Sequence, residues 1–173
     1  MAKFARYGPA PRYGLPEAGF CLSSFAILKD GSKVLLGRPK DHPRWEAEWA
    51  PNFTAYDPEE REVEFHSWRF PAAYLYEGEH PDEALRRVVE DQLGLKEYQA
   101  GPASIHAFYD PSDWFPGKLH YDLCFVYEVR GTLPTVLPPW FAGLEFVDAS
   151  SLKAKDFGSA MGDLAAALEF IRG

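Results

Sequence analysis

The stretch from Pro81 to Gly94 has both of its ends written into it. Pro81 has no N–H to lose at a first helical position. Asp82 and Glu83 put negative charge at the positive end of the dipole, and Gly94 suits the left-handed residue that closes a helix. A helix over Pro81–Leu93 is therefore predicted, although His80 is a poor N-cap. Such a helix must bury its apolar stripe, and the rest of the chain offers strands to bury it on. Gly19–Leu28 is apolar enough for a buried strand, Asp30-Gly31 supplies a tight corner, and Lys33–Gly37 returns as the second arm of a hairpin. Val63–Trp68 alternates apolar and polar residues after the charged turn Asp57–Glu62 and is read as a strand, followed by a short one over Arg69–Leu75. Ile105–Tyr109, Tyr121–Val129 and Leu144–Val147 complete the strands. Met161–Ile171 is a terminal helix with Leu164, Ala167, Leu168 and Ile171 on one face. Strands on both sides of one central helix, with a second helix at the end, predict an α/β protein with a mixed β-sheet packed between helices.

With 173 residues the chain is long enough for one well-cored domain and short for two. Its net charge of −8 and scattered basic residues exclude tight non-specific nucleic-acid binding, since Arg86-Arg87 is the one adjacent basic pair. Without a membrane-length apolar run, and with a polar, Pro/Gly-punctuated stretch from Met1 to Pro16, the expectation is a cytoplasmic protein with no membrane partner. Cys21 and Cys124 sit inside apolar runs and are read as buried strand thiols.

Phe70–Leu95, FPAAYLYEGEHPDEALRRVVEDQLGL, resembles the signature of the Nudix (MutT-like) hydrolase family. That signature runs Gly, five residues, Glu, seven residues, then Arg-Glu-apolar-any-Glu-Glu-any-Gly-apolar. Glu79, Arg87, Val89, Gly94 and Leu95 match it, and Pro71 matches the proline that usually precedes it. Ala73 stands at the leading Gly, Val88 at the Glu after the Arg, and Asp91 and Gln92 at the Glu pair. KVLLGRP after an apolar strand and LEFVDASSL near the end are similar to the family's flanking elements. The resemblance implies a Nudix-type α/β/α sandwich over residues 19–173, with 1–18 an N-terminal arm and 38–67 an enlarged insertion. It also implies a homodimer.

Nudix enzymes cleave phosphoanhydrides in substrates built on a nucleoside diphosphate, with Mg²⁺ or Mn²⁺ neutralising the diphosphate. At about 100° per residue, positions 88, 91 and 92 of an α-helix share one face, where three glutamates would grip the ion. Here that face reads Val88, Asp91, Gln92: one carboxylate, one neutral carbonyl oxygen and one side chain that ligates nothing. The resemblance therefore implies Glu79, Arg87 and Asp91 as the catalytic set and Asp91, Glu79 and Gln92 as the metal set, with Mg or Mn held weakly or not at all. Glu83, Arg87 and Glu90 form a separate stripe that reads as ion-paired or loop-anchoring.

Trp114 and Phe115, in a Pro/Gly loop, and His120 are the candidate substrate-binding residues. His120 and Asp122 lie on one side of an alternating strand and can act together, and His106, Asp110 and Asp113 lie close by in sequence. Their plainer reading is as turn formers and solvated strand positions. The aromatics Trp45, Trp49, Phe53, Tyr56, Phe65, Trp68 and Tyr74 are read either as a stacking surface for a nucleobase or as a protein interface. Two functional readings follow. One is a divergent hydrolase of a nucleoside-diphosphate-linked substrate, weakened by the lost glutamates. The other is a catalytically inactive Nudix-fold module that binds a small nucleotide-like ligand or a protein.

Overall fold

A computed structural model describes residues 19–42, 58–111, 117–158 and 161–171. Strand β1 (Phe20–Asp30) turns at Gly31, whose φ of +60° an L side chain would resist, into β2 (Lys33–Pro39). Helix α1 (Pro58–His66), strand β3 (Ala72–Tyr74) and helix α2 (Pro81–Arg86) follow. α2 runs directly into a π-helical segment, Arg87–Gln92. Strands β4 (Tyr98–Ala100), β5 (Ser104–Pro111), β6 (Leu119–Gly131) and β7 (Phe141–Asp148) precede helix α3 (Met161–Ala167).

The seven strands form one mixed sheet in the order β4-β6-β1-β2-β7, with β3 added on β1 and β5 on β6. β1 and β6 pair in parallel from Phe20↔Tyr121 to Leu28↔Val129, and every other pairing is antiparallel. This central pair divides the molecule, because alternate residues face opposite sides. On one side Ser24 donates through Oγ to the Pro81 carbonyl (2.8 Å) and the Tyr127 hydroxyl to Asp82 Oδ1 (2.6 Å), so α2 sits there. On the other side Ser23, Phe25 and Cys124 line a cavity with Met161 and Leu164 of α3. The result is the expected α/β/α sandwich.

One expected strand is a helix. Val63–Trp68 lies mostly within α1, and its alternation carries no burial signal: Val63 is 64% exposed while Glu64 is buried. Glu64 forms a buried ion pair with Arg69, which joins α1 to the sheet. Arg69 is held in turn by paired backbone hydrogen bonds to Gly37, both 2.8 Å. His80 does cap its helix. Its Nδ1 accepts from Asp82 N–H (3.2 Å), and Glu83 accepts from the His80 N–H (3.1 Å), closing a capping box. Within the Glu83–Arg87–Glu90 stripe the loop-anchoring role falls to Arg87, which turns to Glu79, while Glu83 serves the cap and Glu90 pairs with Arg86.

Candidate functional site

The segment from Tyr74 to Leu95 is organised around Arg87. Its Nε donates to Glu79 Oε1 and its Nη2 to Glu79 Oε2, each at 2.7 Å, and Nη2 also reaches the Tyr74 carbonyl at 2.8 Å. The guanidinium lies over the Tyr76 ring, 4.0 Å from its centroid. Glu79 Oε2 further accepts from the Tyr76 N–H (2.8 Å). Both ionic side chains are largely buried. The hydrogen bond from Arg87 holds the Glu79 carboxyl below the ordinary range, against the opposing effect of burial. A two-pronged guanidinium–carboxylate fork of this kind fixes geometry as well as charge. It pins the loop at Gly78 (φ +81°) to the helix behind it.

Past Arg87 the helix widens. The Leu93 N–H reaches the Val88 carbonyl five residues back and the Leu95 N–H the Val89 carbonyl six back, each at 3.0 Å, and Gly94 closes the turn at φ +70°. In this register Val88 and Gln92, four residues apart, share the inner side, and Asp91 turns outward. Val88 and Gln92 are fully buried, while Asp91 is exposed. The Gln92 amide donates to the Ala72 carbonyl (2.8 Å), and its Oε1 is buried without a hydrogen-bond partner. Glu79 and Arg87 are thus brought together, whereas Asp91 and Gln92 point to different surroundings. Val88 is core, Glu79 is taken by Arg87, and Gln92 is taken by Ala72, so these residues do not fit a preformed magnesium site.

His120, by contrast, stands beside a second acid. Its Nε2 lies 3.1 Å from Asp122 Oδ1, and both side chains are largely buried. Cys21, the parallel register partner of Asp122, joins them. Among the described residues this is the group of three His, Cys, Asp or Glu whose ligand atoms all lie within 4.8 Å of one another. Burial pushes the Asp122 carboxyl up from its ordinary range; Asp110 adds to this, while His120 and a Cys21 hydrogen bond work against it. Cys124, the next residue on this face of β6, is a different thiol: burial raises it to about 12, and Ser23 is its neighbour at 3.9 Å. Asp122 also borders the cavity under α3, which Phe25, Ala72, Tyr74 and Phe108 help to line. That cavity is only about 60 Å³, room for a few waters and far below the several hundred Å³ of a nucleotide site. A larger hollow of about 360 Å³ lies farther along the same face, bounded by Lys29, Ser104, Glu128, Leu168 and Phe170.

Trp114, Phe115 and Asp113 lie outside the described residues, as do Trp45, Trp49, Phe53 and Tyr56. Trp68 is buried, and the Arg38 guanidinium stands 4.0 Å from its ring centroid. Among the described residues no helix is long and apolar enough to cross a membrane. Cys21 was missed as a candidate, because nothing in a single sequence shows that β1 pairs with β6.

A mixed α/β/α sandwich in which a Pro-started, Gly-ended helix is pinned to its preceding loop by a Glu–Arg fork defines a recognisable class. No family model matches the sequence, and no curated protein is significantly similar to it. Solved structures do match. A Nudix hydrolase from Nitrosomonas europaea superposes with a TM-score of 0.53 at 14% identity, over 87% of this chain and 86% of its own. A MutT Nudix hydrolase from Burkholderia pseudomallei gives 0.53 at 15%, over 84% and 95%. An ADP-ribose pyrophosphatase from Streptococcus suis gives 0.50 at 14%, over 86% and 90%. The fold of this chain is the Nudix fold.

Proposed function

We propose that this protein is a divergent Nudix-type hydrolase of nucleoside-diphosphate-linked substrates, with turnover far below that of an intact Nudix box. The observation that carries this reading is the split fate of the box. Its frame is kept in the Glu79–Arg87 fork and the Gly94 closure, while two of its three ligand positions, Val88 and Gln92, are buried. Asp91 is the acid left at the three ligand positions, it lies at the surface, and residual activity is assigned to it. The shared fold with Nudix hydrolases and an ADP-ribose pyrophosphatase supports the substrate class. The test is release of AMP or phosphate from ADP-ribose, dinucleoside polyphosphates and nucleoside triphosphates with Mg²⁺ or Mn²⁺. Slow turnover that Asp91→Ala removes supports the reading. No turnover on any of them, with Asp91→Ala indistinguishable from wild type, overturns it.

A second reading, ligand binding without hydrolysis, is favoured by one specific feature. Gln92 is locked to the Ala72 carbonyl and cannot swing out to an ion without leaving that carbonyl bare. Under this reading nucleotides raise the melting temperature equally with and without a chelator.

A further inference from the structure

We propose that Cys21, His120 and Asp122 form a binding site for a divalent transition-metal ion of the zinc class, separate from the Nudix box. The three come from positions that the parallel pairing of β1 and β6 sets side by side on the sheet face under α3: Cys21 opposite Asp122, and His120 two residues before it on that side. A thiolate, an imidazole and a carboxylate suit zinc or a related ion and suit magnesium poorly. Tetrahedral zinc bonds of about 2.0–2.3 Å put ligand atoms roughly 3.3–3.8 Å apart. The three ligand atoms already lie within 4.8 Å of one another, so small side-chain rotations close the site.

A second observation concerns the nitrogen of His120 that faces away from Asp122. His120 is more than nine-tenths buried, and its Nδ1 has no hydrogen-bond partner. Its register partner on β5 is Asp110, whose Oδ2 is likewise buried and without a partner. A buried polar atom left unpaired is costly, and two on facing strand positions call for a cause. A His120–Asp122 hydrogen bond alone leaves both unexplained. Metal ligation supplies a reason: a histidine that binds an ion through one ring nitrogen ordinarily donates the other N–H to a carboxylate, and Asp110 is the carboxylate opposite. The ion would replace the Cys21 thiol proton, which leaves to solvent. Three protein ligands leave a fourth position free for water or another ligand.

The test uses the full chain, reduced and stripped with a chelator, titrated with Co²⁺ and then Zn²⁺. The expected result is one Co²⁺ per chain with a thiolate-to-cobalt charge-transfer band that Zn²⁺ displaces. Cys21→Ser abolishes the band, Cys124→Ala keeps it, and Asp110→Asn weakens binding by about 10–100-fold. Thermal unfolding gives a check that does not depend on colour: Zn²⁺ raises the melting temperature of wild type and Cys124→Ala and leaves Cys21→Ser unchanged. Absence of a band in the wild type overturns the proposal. So does a band, or a zinc-dependent rise in melting temperature, that Cys21→Ser retains.

Discussion

Restoring the lost glutamate at position 88 tests whether the inner face of the box helix is a metal hollow or a core. Val88 is fully buried and belongs to the same apolar cluster as Leu85, Val89 and Leu93. In Val88→Glu the carboxyl enters that cluster, and a glutamate in such a place titrates near pH 8–9 in place of its unfolded value of about 4.3. At pH 7 the unfolded chain carries the charge and the folded one does not. The penalty is about 1.4 kcal/mol for each of the roughly 2.7 pH units above the unfolded value, or ~3.7 kcal/mol. Forcing in the longer side chain adds about 1 kcal/mol, against a total stability of about 5–15 kcal/mol for an ordinary domain. The sign with pH is fixed. The folded pKa is raised, so the folded state binds the extra proton between the two values, and stability falls as pH rises through that window. At pH 5 the charge penalty shrinks to about 1 kcal/mol. Urea unfolding followed by tryptophan fluorescence at pH 5 and pH 7, with and without millimolar Mg²⁺, measures this directly. Wild-type stability of the variant at pH 7, or its recovery on adding magnesium, would refute the reasoning and restore position 88 to a metal site.

Other variants probe the rest of the frame. Glu79→Gln leaves the Arg87 guanidinium buried without its carboxylate and is expected to cost about 3 kcal/mol at neutral pH. Because the Glu79 carboxyl is held below its ordinary value, its contribution is present above about pH 4 and lost as pH falls through the lower folded value, so the two proteins converge in acid; parallel denaturation curves from pH 3 to 7 decide it. In Gly158→Ala the new Cβ would stand 2.5 Å from Glu64 Oε2 and 2.9 Å from Arg69 Nη2, prising apart the pair that docks α1, and a loss of about 3 kcal/mol is expected. Gly94→Ala meets only Pro134 at 3.4 Å but must hold φ +70°, and is expected to lose about 1–2 kcal/mol. Thermal melts should rank Gly158→Ala as the less stable of the two.

Those parts of the fold whose signals are local were legible in the sequence. Pro81 and Gly94 bound the predicted helix because a missing N–H and a left-handed φ are properties of single residues. The Asp30-Gly31 corner and the long apolar run of β6 were readable for the same reason. Val63–Trp68 was misread because alternation is a pattern of side chains and says nothing of which ones are buried. In α1 a glutamate faces inward, since Arg69 awaits it, and a valine faces water. Pro58 at the helix start and the acids after it were the available signal. The box helix was placed correctly, but which of positions 88, 91 and 92 is buried depends on what packs over the helix, and that is not written in its spacing. The pairing of Cys21 with Asp122 depends on a parallel register spanning some hundred residues of chain, which no local pattern encodes.

The π segment and Gln92 belong together, and this bears on how the box came to lack its acids. The Ala72 carbonyl sits on β3, a strand of three residues, and accepts its hydrogen bond from an amide that only Gln or Asn can offer at neutral pH. A glutamate at position 92, once ionised, is acceptor-only. It would leave that carbonyl bare and add a buried charge beside it. A helix face that binds an ion must hold its acids toward water. The face described here turns Val88 and Gln92 away from water and leaves Asp91 outside. The two arrangements ask opposite things of the same turn, so single reversions toward the box sequence should destabilise the fold before they recover any metal. Recovery would require the turn itself to rewind, with Val88, Gln92 and the closure around Gly94 changed together.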